Sequence, residues 1–307
     1  MNALTVTFAG VEFQNPIVLA SGTAAYGREL DDIVDLEALG GLVTKAVSLL
    51  PRPGAKAPRV SDFPGGMINA IGLANPGLDV VRDTELPWLA AHLRRTRVLV
   101  NVVGNAVEDF ADVIARLDAS PGVSGYELNV SCPNVKAGGL EFGADRVVLR
   151  ALIEQARAAT RKAIVIKLSP TLADLAGTAQ VAADAGADAI TLTNTLPGLV
   201  IDVETRRPRI GFGSGGVSGP PLLPVGVLAT WRVSRAVSLP IIGLGGVSRA
   251  EHALQYIMAG ATLVGVGTAS MVNPRAPERI VQELEHWCDR HGVTSLNDVR
   301  GTLEWPS

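Results

Sequence analysis

Ile164–Thr195 reads IVIKLSPTLADLAGTAQVAADAGADAITLTNT, and its reading decides the fold. Ile164–Leu168 and Ala189–Thr193 are short β-rich runs, apolar enough to be buried on both faces, as strands of a parallel sheet are. Between them Leu172–Ala185 is an amphipathic helical stretch. Asp174 falls in its first turn, where a carboxylate suits a helix start. Strand, helix, strand in that order predicts two parallel strands joined by a helical crossover.

The same unit recurs on both sides. Further strand candidates are Ile17–Ala20, Leu42–Ala46, Val98–Val102, Tyr126–Val130, Ile241–Leu244 and Leu263–Val266. Glu108–Leu117, Asp145–Thr160 and Glu251–Ala259 supply helices, with Asn105 ahead of the first as its candidate start. Eight strands alternating with helices predict an α/β fold, a (β/α)8 TIM barrel, for which about 250 residues is typical. The surplus in a chain of 307 residues fits two insertions at the C-terminal face, the Pro- and Gly-rich Leu50–Asp83 and Leu196–Pro221. The opening TVTFAGVEFQNP reads as a β-hairpin closing the barrel floor. No shift of composition marks a boundary, so residues 1–307 are expected to form a single domain.

Composition excludes several classes. Net charge is −3, aromatic residues are 4% of the chain and there is no Lys/Arg block, so nucleic-acid binding has no electrostatic footprint. No apolar run approaches the roughly 18 residues of a membrane span. MNALTVTFAG lacks the basic stretch and long apolar core of a signal peptide, and the expected location is cytoplasmic. Cys132 and Cys288 are too few for a disulfide scaffold or an iron–sulfur cluster.

Barrel chemistry gathers at the C-terminal ends of the strands. In order those ends carry Ser21-Gly22, Lys45, Asn101, Asn129 with Cys132, Lys167, Asn194-Thr195, Gly245-Gly246 and Gly267-Thr268. None of them is an acid or an arginine, and the ring suits a planar, hydrogen-bonding, negatively charged ligand. Gly245-Gly246 and Gly267-Thr268 stand where barrels usually bind phosphate, with Ser218-Gly219 able to join them before a helix starting near Pro221. Tight turns alone would also use glycine; two adjacent turns of this kind favour phosphate. Lys45 and Lys167 either reach solvent, as most lysines do, or point from buried strands into the barrel mouth. There they would neutralise charge developing on a flavin ring, or one would form a Schiff base.

Cys288, in EHWCDR of the terminal helix, reads as a small buried hydrophobe. Cys132 follows a strand within NVSCPN and precedes the glycine-rich KAGGLEFG, so its thiol is a candidate base or nucleophile. At an ordinary thiol pKa only about 3% is thiolate at pH 7, which makes a nearby cation such as Lys45 useful. His92, His252, His286 and His291 fall on helices or in the C-terminal region, against a Cys-His hydrolase. The run Gly211–Gly216 matches G-x-G-x-x-G but follows RRPRI rather than a buried strand, so it fails the dinucleotide context. Asn129-Val130-Ser131 matches a glycosylation sequon but ends a core strand.

The ordered set NPIVLASG, VTKAV, NAIGLANPG, NVSCPNVKAGGLEFG, VIKLSP, LTNTLPG, GGVSGP, PIIGLGGV and VGVGTA resembles the signature of dihydroorotate dehydrogenases, from about Asn15 to Ser270. Cysteine at the base position resembles class 1, and NVKAGGLEFG with NTLPGLVIDVETRRP is most similar to class 1B, the NAD-linked, partner-requiring group. The resemblance implies FMN held by Ala20, Ser21, Lys45, Asn101, Asn129, Lys167, Gly219, Gly245, Gly246, Gly267 and Thr268. It implies orotate or dihydroorotate contacts from Lys45, Asn69, the Gly72-Leu73 backbone, Asn129, Asn134, Asn194 and Thr195. It also implies Cys132, Lys45 and Lys167 as the catalytic groups, and a partner subunit carrying FAD and a 2Fe–2S centre, in a heterotetramer on a homodimer core. Two departures stand out: GPPLLPVG lacks the lysine of the familiar GPAIKP, and Ala74 replaces the glutamine of NAIGLQNPG.

Three rivals remain at this level. A class 1A-like homodimer would pass electrons to fumarate, a Schiff-base aldolase would use Lys45 or Lys167, and a non-catalytic flavin-binding subunit would bind flavin without turning over. The Lys136–Phe142 loop is the candidate lid.

Overall fold

The computed structural model describes residues 3–131 and 141–306. Eight parallel strands close into a barrel: Ile17–Leu19, Gly41–Val43, Arg97–Val102, Val123–Asn129, Ala163–Leu168, Ala189–Leu192, Ile241–Leu244 and Leu263–Val266. Neighbours in this sequence pair in parallel, and Val264–Val266 returns to Ile17–Leu19 to close the ring. All eight strands expected from the sequence are present.

The second strand is shorter than the expected Leu42–Ala46, for a tertiary reason. Thr44 N still donates to Leu99 O at 2.9 Å, but Lys45 N turns away to Ala25 O at 2.7 Å. The ladder resumes at Val47, whose N–H donates to Asn101 O at 2.8 Å. Lys45 therefore sits on a bulge at the barrel rim, a usual device for re-aiming a side chain.

The barrel interior has an apolar end and a polar end. Side chains alternate between the two faces of a strand. One inward layer is Val18, Val43, Leu99, Val165, Ala189, Ile242 and Leu263. The hairpin Val6–Phe8/Val11–Phe13 packs Val6, Phe8 and Phe13 against this layer, the two phenylalanine rings meeting edge to face at 5.9 Å. Two residues further along their strands, Asn101, Lys167 and Thr191 point into the same space. The hairpin thus closes the floor, as the sequence suggests.

Helices cover the outside: Val107–Leu117, Arg146–Ala159, Leu175–Asp184, Leu223–Ser234, Ala250–Met258 and Ala276–His291. Asp145 and Asp174 cap two of them, accepting from Val147 N and Gly177 N, each at 2.9 Å. Asn105 does not cap the helix it precedes. Asp109 reaches back from the first turn, accepting from Asn105 N at 2.7 Å and Ala106 N at 3.2 Å, while Asn105 Oδ1 accepts from Arg52. The crossover between the first two barrel strands holds only the 3-10 turns Arg28–Leu30 and Leu36–Ala38. Cys288 is buried in the terminal helix, as expected.

The two insertions make one sheet. Val60–Phe63 and Gly66–Asn69 form a hairpin from the first, and Leu196–Gly198 and Gly215–Ser218 come from the second. All pair antiparallel, with Gly66–Asn69 against Gly215–Ser218. Leu196 follows the sixth barrel strand closely, so this canopy stands over the C-terminal mouth. The first insertion ends earlier than Asp83. Helical backbone already begins at Leu78 and continues to His92, with a wide i→i+5 turn through Val81–Glu85 ahead of Pro87, which has no N–H to give. Gly211–Gly216 runs into the canopy strand Gly215–Ser218 and follows no buried barrel strand, in keeping with rejecting it as a dinucleotide loop. Among the described residues no helix is long and apolar enough to cross a membrane. Cys132 and Asn134, and the Lys136–Leu140 part of the candidate lid, lie outside the described residues.

Because Phe13 is fully buried beneath the barrel, Phe13→Ala is expected to cost about 3–5 kcal/mol of stability. Urea denaturation followed by circular dichroism measures this directly; an unchanged midpoint would show that the hairpin is not part of the core.

Candidate active site at the barrel mouth

Lys167 ends an apolar strand, and its ammonium lies inside the barrel with the side chain only 5% exposed. It donates to Ser21 Oγ at 3.0 Å, across the mouth from the loop after the first strand. A carboxylate oxygen of Glu127 lies 3.6 Å from the same ammonium. Glu127 also accepts from Asn101 Nδ2 at 2.7 Å and from Thr191 Oγ1 at 2.8 Å. Four strands therefore contribute one interlocked polar layer directly above the apolar one. A buried charge needs such partners, because unpaired it would lose its hydration without compensation.

Below the acid-free strand ends, the barrel does carry a carboxylate, Glu127. It lies two residues before Asn129, so alternation sends both side chains inward. The signal was a single carboxylate inside the apolar run YELNV, hidden by reading only the last residue of each strand. Thr191 was missed for the same reason, although TLTNT offers three hydroxyls.

The glycine turns after the last two barrel strands lie on neighbouring strands. Thr268 Oγ1 and Ser218 Oγ are 2.8 Å apart, joining the canopy to the last barrel strand beside Gly219 and Gly267. Gly245 and Gly246 have φ of 131° and 71°, values that side chains rarely adopt. A Cβ on Gly246 would come within 2.6 Å of Leu223 N, so the turn lies flat against the start of the next helix. Tyr256, buried and with its ionisation pushed up by burial, donates to Gly245 O at 2.9 Å and fixes that turn. Gly243 leaves the space occupied by its ring.

A second arc runs beneath the canopy. Asn194 Nδ2 donates to Asn129 Oδ1 at 3.3 Å, and Asn194 Oδ1 accepts from Thr195 N at 2.9 Å. Thr195 packs directly on Gly216, whose carbonyl accepts from Asn69 Nδ2 at 3.2 Å. Gly72 and Leu73 both have positive φ, 68° and 56°, and the Leu73 carbonyl is held by Asn75 Nδ2 at 2.8 Å. Leucine in that conformation is strained, and Asn75 anchors it by also bonding Ser48 Oγ at 2.8 Å and Gly77 N at 2.9 Å. The turn thus presents backbone rather than side chain. Lys45 is half-buried at the rim and Ala20 is buried, its N–H donating to Val266 O at 2.9 Å. The four histidines stay on the outer helices, with His92 stacked on Trp88 and His291 on Trp287.

A polar mouth of this kind, with glycine turns at one corner and amides at the other, has relatives. A family model described as dihydroorotate dehydrogenase matches residues 3–288. A protein of Pelobacter propionicus named dihydroorotate dehydrogenase B (NAD(+)), catalytic subunit, is 47% identical over 301 residues, 98% of each chain. A protein of the same name from Desulforudis audaxviator is 45% identical over 96% of each chain. The crystal structure of an Eimeria tenella DHODH in complex with ferulenol shares the fold with a TM-score of 0.83, at 24% identity, over 98% of this chain and 89% of that one. Match, identity and coverage together show that the chain belongs to the dihydroorotate dehydrogenase family.

Proposed function

We propose that this chain is the FMN-binding catalytic subunit of an NAD-linked dihydroorotate dehydrogenase, oxidising dihydroorotate to orotate in pyrimidine biosynthesis. The observation that carries this reading is the pairing of a buried lysine layer with a glycine corner across one barrel mouth. The residues fit FMN on their own chemistry. The Thr193 hydroxyl is buried at the mouth without a partner among the described residues, and the Gly246 turn has no room for a side chain. Ala20, Ser21, Lys45, Asn101, Asn129 and Lys167 would face the ring, and Gly219, Gly245, Gly246, Gly267 and Thr268 the phosphate. Bound FMN supplies the acceptor for the hydride that leaves C6 of the substrate.

The chain's own residues then do the rest. Lys45, Asn69, Asn129, Asn134, Asn194 and Thr195, with the Gly72-Leu73 backbone, hold a ring of alternating donors and acceptors and its carboxylate. The Cys132 thiolate takes the proton from C5, which lies next to a carbonyl. Lys167 would hold its ammonium at the barrel mouth, where it would offset the negative charge of a reduced flavin. The whole chain acts as one domain, 1–307, in the cytoplasm.

The name "catalytic subunit" on relatives such as that of Pelobacter propionicus supports a second subunit for electron transfer. That subunit would carry FAD and a 2Fe–2S centre, in a heterotetramer built on a homodimer of this chain. The same names favour NAD over fumarate as the final acceptor; fumarate turnover by the isolated chain would reverse that preference.

The purified chain should be yellow and should bleach anaerobically when dihydroorotate is added. A yellow protein that does not bleach would count against this substrate. Cys132→Ser should retain FMN and lose at least about a hundredfold in rate near pH 7, the usual contribution of a positioned base; undiminished turnover would remove Cys132 from that role. Gly246→Ala should weaken FMN at least about tenfold, because its φ and its contact with Leu223 leave no room for a methyl group. Fluorescence titration of FMN would measure this, and an unaltered affinity would move the phosphate elsewhere.

A further inference from the structure

Glu127 is not among the residues proposed to hold substrate, yet its carboxylate is one of the most thoroughly paired groups in the barrel. It is 1% exposed and receives Asn101 Nδ2 at 2.7 Å, Thr191 Oγ1 at 2.8 Å and, more loosely, the Lys167 ammonium at 3.6 Å. We propose that Glu127 is a positioning residue that sets how readily the bound flavin is reduced, by offsetting the Lys167 charge and fixing the Asn101 amide. This rests on the flavin reading above.

Two physical points support it. An ionised carboxylate only accepts hydrogen bonds. Asn101 must therefore turn its NH2 towards Glu127, which leaves its carbonyl oxygen as the group free to face a ligand. A glutamine at position 127 would allow either orientation of that amide. The second point is electrostatic. A lone ammonium in a low-dielectric mouth would stabilise reduced, anionic flavin strongly, since screening there is weak. The Glu127 carboxylate, 3.6 Å from the ammonium, offsets much of that field. The reduced flavin then remains able to pass its electrons on, which an enzyme coupled to an acceptor requires.

The test uses the full FMN-loaded chain and reads the flavin midpoint potential by anaerobic equilibration with a reference dye. FMN affinity and thermal midpoint are measured alongside. Glu127→Gln should shift the equilibrium at least tenfold towards reduced flavin, which is about 30 mV for a two-electron couple. Lys167→Gln should shift it at least tenfold towards oxidised flavin. The double variant, whose pair is again neutral, should lie within about threefold of the wild type. A purely structural Glu127 would, when removed, loosen Lys167 and move the potential in the Lys167→Gln direction or leave it within threefold; either result overturns the proposal. If Glu127→Gln alone does not fold, Lys167→Gln and the double variant decide the matter. The double variant must then lie at least tenfold on the reduced side of Lys167→Gln, and equality overturns the proposal. A wild-type chain that takes up no FMN overturns this inference together with the proposed function. A wild-type chain that binds FMN, with Glu127→Gln unmoved, overturns this inference alone.

Discussion

A buried ammonium must be paired, and the need to pair Lys167 organises the upper half of this barrel. The charge is reached by Ser21 from the first strand's loop and by Glu127 from the fourth strand, and Glu127 is in turn held by Asn101 and Thr191. Those residues come from separate strands, so the cluster can form only when the barrel has closed with the right stagger. Closure and charge pairing therefore support each other. A well-packed apolar replacement of such a pair is often neutral for stability, so stability alone does not account for the charges.

The lower half makes that arrangement affordable. The apolar layer around Val18, Leu99 and Val165 excludes water from beneath the cluster, and the hairpin carrying Phe8 and Phe13 seals it. Above, the canopy sheet brings Asn69 and Gly216 beside Thr195, while the same strand ends at Ser218 next to Thr268. One small sheet thereby links the amide arc to the glycine corner. Asn69, Gly216 and Ser218 are thus held by the backbone pairing of this sheet.

Much of this was legible because strands buried on both faces read as apolar runs whatever their neighbours, and all eight barrel strands were found in this way. Lys45 was placed in a strand because its neighbours are apolar; the bulge that frees it depends on Ala25, which is distant in sequence. The canopy could not be read, since its central pairing joins two insertions far apart in the chain. Asn105 looked like a cap by residue type, yet its side chain accepts from Arg52, and Asp109 reaches back to the Asn105 and Ala106 N–H groups. For the site, Lys167, Asn129, Asn194 and the glycine turns were visible as polar or flexible ends of apolar strands. Glu127 and Thr191 were not, because they lie one inward step below the strand ends. The helix from Leu78 was obscured by Pro87 and by the Pro/Gly-rich stretch before it.

The central claim is that the Lys167 layer and the glycine corner are two ends of one FMN site. A crystal structure of the chain grown with FMN and orotate tests it most directly. The phosphate should lie against Gly245-Gly246 and Gly267-Thr268, the ring over Lys167, and orotate between the ring and the Asn129–Asn194 pair. Flavin bound outside the barrel mouth, or a phosphate away from those glycines, would contradict it.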